Sequence, residues 1–119
     1  MVKDEHSALK ASFERALEFL NAGDHVMAEK IFRKAIIQIS NSDPNIQVLL
    51  AVSLIRQGRS GSAVKRLKHT LRAFPDFPPA HEELGNALLA QNKPENAIEA
   101  FKKVLQLKPD NAGAMTVSY

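Results

Sequence analysis

Ala97-Ile98-Glu99-Ala100-Phe101-Lys102-Lys103-Val104, followed by Pro109, is the third statement of a pattern that the chain has already made twice. Ala63, Leu67, Thr70 and Pro75 make it 34 residues earlier, and Ala28, Phe32 and Ala35 make it 35 residues before that. Ahead of each copy stands a turn: Gly23-Asp24, Gly58-Arg59 and Asn92-Lys93. Self-similarity at this period marks a solenoid in which one unit cannot bury its own apolar face and must stack on its neighbours. Function in such an array belongs to a surface rather than to a catalytic pocket.

Each repeat reads as two helices. In unit one, residues 9–42, Leu9, Phe13, Ala16, Leu17 and Leu20 recur at helical spacing, Phe19 widens the stripe, and Asn21-Ala22-Gly23 ends it. Asp24 is placed to cap a second helix with Ala28, Ile31, Phe32, Ala35 and Ile39 inward. Unit two, 44–77, opens on Asp43-Pro44, a cap followed by the proline that suits a first helical position. Val48, Leu50, Ala51, Leu54 and Ile55 precede Gly58; Ser60 is the expected cap of the next helix, with Ala63, Val64, Leu67, Thr70 and Leu71 inward before Pro75. Unit three, 78–111, repeats the plan with Leu84, Gly85, Leu88 and Leu89, then Ala97, Ile98, Phe101, Val104, Leu105 and Leu107. Small residues at Ala16, Ala51, Gly85, Ala28, Ala63 and Ala97 let paired helices approach closely. Residues 1–8 form a lead-in, and 112–119 read as the start of a seventh helix.

Composition restricts the possibilities further. At 119 residues, with 45% apolar and 24% charged residues, the chain matches one ordinary globular domain, and six Phe, one Tyr and no Trp make its core mainly aliphatic. Without cysteine there is no disulfide, thiolate metal site or Cys nucleophile. The start, Met1-Val2-Lys3-Asp4-Glu5-His6, is no secretory signal, and no apolar run reaches the ~18 residues needed to span a bilayer. The expected setting is cytoplasmic.

Leu84-Gly85-Asn86-Ala87-Leu88, Ala97-Ile98-Glu99, Phe101-Lys102-Lys103, Leu105 and Leu107-Lys108-Pro109-Asp110-Asn111 closely follow one repeat pattern, and residues 9–111 resemble the tetratricopeptide repeat (TPR) family. The resemblance implies an all-α, right-handed superhelix of three antiparallel helix pairs. The chain departs from the family where Ser12, Gln47 and His81 replace an early aromatic, where Asn92 replaces the turn glycine, and where Ser40 replaces the closing proline. One extra residue, around 41–43, alters the step between units one and two. TPR arrays usually end on a shielding helix, so 112–119 leave the chain either a piece of a longer protein or covered there by a partner.

The resemblance implies that the first helix of each unit lines a concave groove for a peptide, presenting Phe13, Leu17, Leu20 and Asn21, then Val48, Val52, Ile55 and Arg56, then Glu82, Asn86 and Leu89. This surface runs from apolar to polar and suits an apolar or amphipathic peptide. Packing between units accounts equally well for Leu20, Ile55 and Leu89; Phe13, Val48 and Val52 are the stronger groove candidates. Some TPR proteins grip the C-terminal carboxylates of heat-shock chaperones with Lys, Asn and Arg. The matching positions here hold Phe13, Leu17, Leu49, Pro79 and Glu83, which lack the required donors, and Glu83 repels the ligand.

Charge is uneven. Unit two carries Arg56, Arg59, Lys65, Arg66, Lys68 and Arg72 against Asp76 alone, whereas acids outnumber bases by one in unit three. With no aromatic interleaved, a solvated helix face explains the cluster better than nucleic acid does. His6, His25, His69 and His81 fall at no metal-ligand spacing, and Glu82-Glu83 diverge by about 100° on a helix, too far for a fixed acid and base. The expectation is a non-enzymatic protein-interaction module without cofactor or metal, whose partner is a protein or peptide rather than nucleic acid or membrane. Two alternatives stand beside it. One is the N-terminal region of a larger sulfotransferase- or glycosyltransferase-like enzyme. The other is a homodimer formed through the uncapped C-terminal end.

Overall fold

The computed structural model describes residues 2–38 and 43–108, with side chains for 10–37 and 43–108. Six helices follow one another: α1 Val2–Asn21, α2 His25–Gln38, α3 Pro44–Arg56, α4 Ser60–Ala73, α5 Pro78–Ala90 and α6 Pro94–Leu107. Helix α1 begins at Val2, so residues 2–8 of the expected lead-in continue the first helix. Ile39, Pro109 and the expected seventh helix over 112–119 lie outside the described residues.

The same stop ends the first helix of every unit. The amide of Asp24 donates to the carbonyl of Phe19 at 2.8 Å, that of Arg59 to Leu54 at 2.9 Å and that of Lys93 to Leu88 at 2.9 Å, while Gly23, Gly58 and Asn92 donate to Leu20, Ile55 and Leu89. This six-to-one and five-to-two pairing is a Schellman motif, and it requires a left-handed residue. Gly23 and Gly58 supply it at φ 92° and 80°, and Asn92 takes the same position at φ 61°. The Asn92 departure is thus conservative, because asparagine is among the few L-residues that enter this region readily.

Starts are less uniform. Asp43 caps α3 by accepting from the amide of Asn45 at 2.9 Å, with Pro44 next, and Asp24 accepts from Met27 at 3.2 Å ahead of α2. Ser60 does not cap α4: it is the helix's first residue and is buried, while Arg59 occupies the cap position without a side-chain bond. Buried Ser60 at the first position of α4, and proline in the first turn of α5 and α6, stand where a side-chain cap is absent.

Consecutive helices pack together along the chain, and α3 also packs on α5. The outer helices α2 and α4 have no contact of comparable extent. Each outer helix packs on the inner helix of the next unit, α2 on α3 and α4 on α5. Helix α3 also meets α5 whereas α2 does not meet α4 to a comparable extent, which places α3 and α5 on the inside of the curve and α2 and α4 on the outside. Helix α1 has no comparable contact with α3, and there the extra residue near 41–43 falls. The continuous core is built from Ala16, Ala28, Phe32, Leu50, Ala51, Leu54, Ala63 and Leu67, with Phe13 set edge-on to Phe32 at 6.1 Å. In unit three an added Cβ on Gly85 would stand 2.5 Å from the Phe101 ring, so this glycine permits the close approach of α5 and α6.

Candidate interaction surface

Of the expected groove residues, two are consumed by the core. Leu20 is 5% exposed and Val48 6%, so Val48, a stronger groove candidate from sequence, packs instead of facing solvent. The reason is position: α3 packs against three helices, α2, α4 and α5. Phe13, Leu17, Val52 and Ile55 are half-buried against the same core. Arg56, Glu82, Asn86 and Leu89 are exposed, Leu89 at 50%. Asn21 is exposed as well. The surface available on the inner helices is thus Val52, Ile55 and Arg56 on α3, followed one repeat later by Asn86 and Leu89 on α5.

Polar contacts orient part of this surface. Asn86 donates to Glu83 at 3.2 Å, and the Arg56 guanidinium reaches the carbonyl of Leu20 at 3.5 Å, touching the end of α1. At the far end of α5 and α6 a hollow of about 420 Å³ is lined by Glu82, Asn86, Phe101, Val104, Leu105 and Lys108. Leu105, which lines this hollow, and Ile98 elsewhere on α6, both expected inward, are 59% and 51% exposed, because no further described helix packs on α6.

Sequence reasoning missed the strongest polar feature. Glu29, 8% exposed, accepts from Gln57 Nε2 at 2.9 Å, Arg59 at 2.8 Å and Arg33 Nε at 2.8 Å, tying α2 to the α3–α4 turn. Burial pushes the Glu29 carboxyl upward, but the hydrogen bonds from Gln57 and Arg33 and the charges of Arg59 and Arg33 outweigh it and hold the group below the usual glutamate range. Only the Glu29–Arg33 pair, four apart on a helix, was available from spacing. Two further departures from the repeat pattern gain a role. Buried Gln47 accepts from Arg66 at 3.2 Å, joining α3 to α4, and His81 Nε2–H donates to the carbonyl of Pro75 at 2.8 Å, joining α5 to the preceding loop. Both replace an aromatic wedge with a hydrogen bond. Arg59 and Arg66, two of the six unit-two cations, thus serve the fold.

Among the described residues no three His, Asp or Glu side chains gather as metal ligands, and no helix is long and apolar enough to cross a membrane.

The tetratricopeptide repeat family model matches residues 48–112, more than half of the chain. The chain is 32% identical over 99 residues to small glutamine-rich tetratricopeptide repeat-containing protein 2 of Saccharomyces cerevisiae, covering 76% of this chain and 28% of that protein. The chain therefore spans little more than a quarter of that relative. Among solved structures it superimposes on the first TPR domain of Spaghetti (RPAP3), bound to the HSP90 peptide SRMEEVD, with a TM-score of 0.77 at 19% identity over 91% of this chain and 85% of that one. The type III secretion translocator chaperone SycD of Yersinia enterocolitica, in an alternative dimer, gives a TM-score of 0.82 at 14% identity, covering 94% and 84%. At these identities the likeness is one of fold.

Proposed function

The chain belongs to the tetratricopeptide repeat family, and from that premise we propose that it is a non-enzymatic protein-interaction module that seats an apolar or amphipathic peptide on the inner faces of α3 and α5. The observation that carries this reading is the run of half-buried Val52 and Ile55 on α3 leading to exposed Leu89 on α5, edged by Arg56, Glu82 and Asn86. Apolar side chains left partly open beside polar ones are the composition of a recognition surface, where burial supplies affinity and the edge sets register. Phe13 and Leu17 extend the surface only in part, since both pack against the core. A cytoplasmic setting accords with a chain that has no cysteine.

The chaperone-carboxylate reading is not adopted, despite the HSP90 peptide held by Spaghetti. Phe13, Leu17 and Leu49 are half-buried packing residues, and Glu83 is already engaged by Asn86. A carboxylate ligand would meet no cation at these positions.

Panning a displayed library of random peptides against the chain tests the proposal. Recovered peptides should be apolar or amphipathic and should lose binding to Val52→Glu and to Leu89→Lys. Leu89 is exposed, so the second variant keeps its fold and remains informative should Val52→Glu unfold. Peptides that bind both variants as well as the original chain would contradict the groove.

A second reading rests on the 420 Å³ hollow and exposed Leu105 at the end of α6. Two copies joined there would cover both ends at once. Light-scattering mass over an about hundredfold concentration range, for this chain and for one ending at Asn111, decides it. A concentration-dependent dimer supports it, and a monomer throughout removes it. The remaining alternative, a catalytic domain in the same polypeptide, is decided by the gene sequence beyond Tyr119.

A further inference from the structure

The outer helices α2 and α4 carry a charge pattern that packing does not explain. Their sequences hold seven Lys or Arg and a single acid, Glu29, which is buried and already occupied by three donors. Lys30 and Lys34 on α2 and Lys65, Lys68 and Arg72 on α4 are exposed. Arg66 on α4 holds its proton less firmly than usual, first through burial and then through the charge of Arg33 on α2. Arg33 is paired with Glu29 at 2.8 Å and Arg66 donates to Gln47 at 3.2 Å, whereas among the described residues no carboxylate pairs with Lys30, Lys34, Lys65, Lys68 or Arg72. The exposed lysines and Arg72 repel one another in the isolated chain, and an acidic partner seated on them relieves that repulsion.

Repeat register gives the surface an edge. Lys30 of unit one corresponds to Lys65 of unit two and to Glu99 of unit three, so the basic stripe runs over two units and gives way to balanced charge on α6, which carries Glu95, Glu99, Lys102 and Lys103. On α2 the stripe is also bracketed by apolar side chains. Val26, Lys30, Arg33 and Ile37 lie on one helical face, and Val26 and Ile37 are 51% and 79% exposed at its ends, about 16 Å apart along the axis.

We infer that the outer face of α2 and α4 docks an acidic, amphipathic helical segment of a partner protein, whose carboxylates meet the lysine rows while its apolar side chains cover Val26 and Ile37. The two apolar brackets favour this occupant over nucleic acid. A phosphate backbone has no use for an exposed isoleucine, and the face has no exposed aromatic on which a base would stack, Phe32 being buried. The surface lies opposite the inner groove, so the two are independent and one chain has room to bridge two partners.

The probe is a fluorescein-labelled helical peptide with leucine along one face and glutamate elsewhere, titrated against the chain by anisotropy, with a short DNA duplex as competitor. The peptide should bind, weaken about tenfold between roughly 50 and roughly 500 mM NaCl, and weaken about tenfold in Lys30→Glu/Lys65→Glu. Ile37→Ser should cost about fivefold through lost apolar burial, and Val52→Glu should leave binding unchanged. All four positions are read against circular dichroism of the same variants. Absence of binding, indifference to Lys30→Glu/Lys65→Glu, or loss in a Val52→Glu variant whose helical circular dichroism is intact would overturn the inference. So would a duplex that outcompetes the peptide while Ile37→Ser is silent, which would assign the face to nucleic acid.

Discussion

The two faces of the array hold their charge differently. The inner helices α3 and α5 carry one cation, Arg56, and two acids, Glu82 and Glu83, among apolar side chains. The outer helices α2 and α4 carry seven cations and one acid. The difference shows how a short solenoid divides its work. Inner helices meet the next unit directly, as α3 meets α5, and so spend much of their apolar surface on cohesion. Outer helices meet the inner helix of the next unit, α2 on α3 and α4 on α5, but not each other to a comparable extent. Their remaining faces are free to be charged, provided that a few of those charges are recruited to lock inner and outer layers together.

The lock is where the comparison breaks most easily. Removing the Glu29 carboxylate takes from Arg33 its acceptor and from Gln57 and Arg59 their shortest hydrogen bonds. Glu29→Ala should lower unfolding free energy by about 3 kcal/mol, measured by urea denaturation, whereas Lys65→Ala on the same outer face should change it by less than about 0.5 kcal/mol. Equal losses in the two variants would mean that the outer charges are interchangeable. In unit three the layers are joined by the Phe101 ring lying over Gly85. Gly85→Ala should cost about 2 kcal/mol through overpacking, despite the better helix propensity of alanine. A gain in stability there would show that the ring has room to move.

Acidification sharpens the comparison with a smaller effect. Because the folded state holds the Glu29 carboxyl low, its contribution is present above the unfolded-state value and is lost as pH falls through the folded one. Stability should therefore decline below about pH 4.3, and Glu29→Gln should flatten that decline relative to the original chain. The smallest effect belongs to the turn. Asn92→Gly relieves a left-handed asparagine and should stabilise unit three by about 0.5 kcal/mol, seen as a raised denaturation midpoint.

Much of this architecture is legible in sequence because helix period, proline positions and the Gly or Asn turn all point the same way. Phe32, Ala63 and Leu67 are in the core as their spacing implies, and Asp43-Pro44 starts α3 as a cap and first turn should. The candidate surface was less legible. Whether Val48 or Val52 reaches solvent depends on how α2, α4 and α5 crowd α3, which a single helix period does not encode. Ile98 and Leu105 share the apolar stripe of their helix, yet stay exposed because no further described helix packs on α6. The Glu29 cluster joins residues 28 and 30 positions apart through a turn, and only the fold brings them together.

The central claim is that a peptide partner is held by the inner face. An NMR titration of the isotope-labelled chain with a peptide recovered by selection tests it most directly. The account predicts methyl shifts at Val52, Ile55 and Leu89, with the outward side chains of α2 and α4 silent. Shifts confined to α2 and α4, or to Val104 and Leu105 at the end of α6, would contradict it.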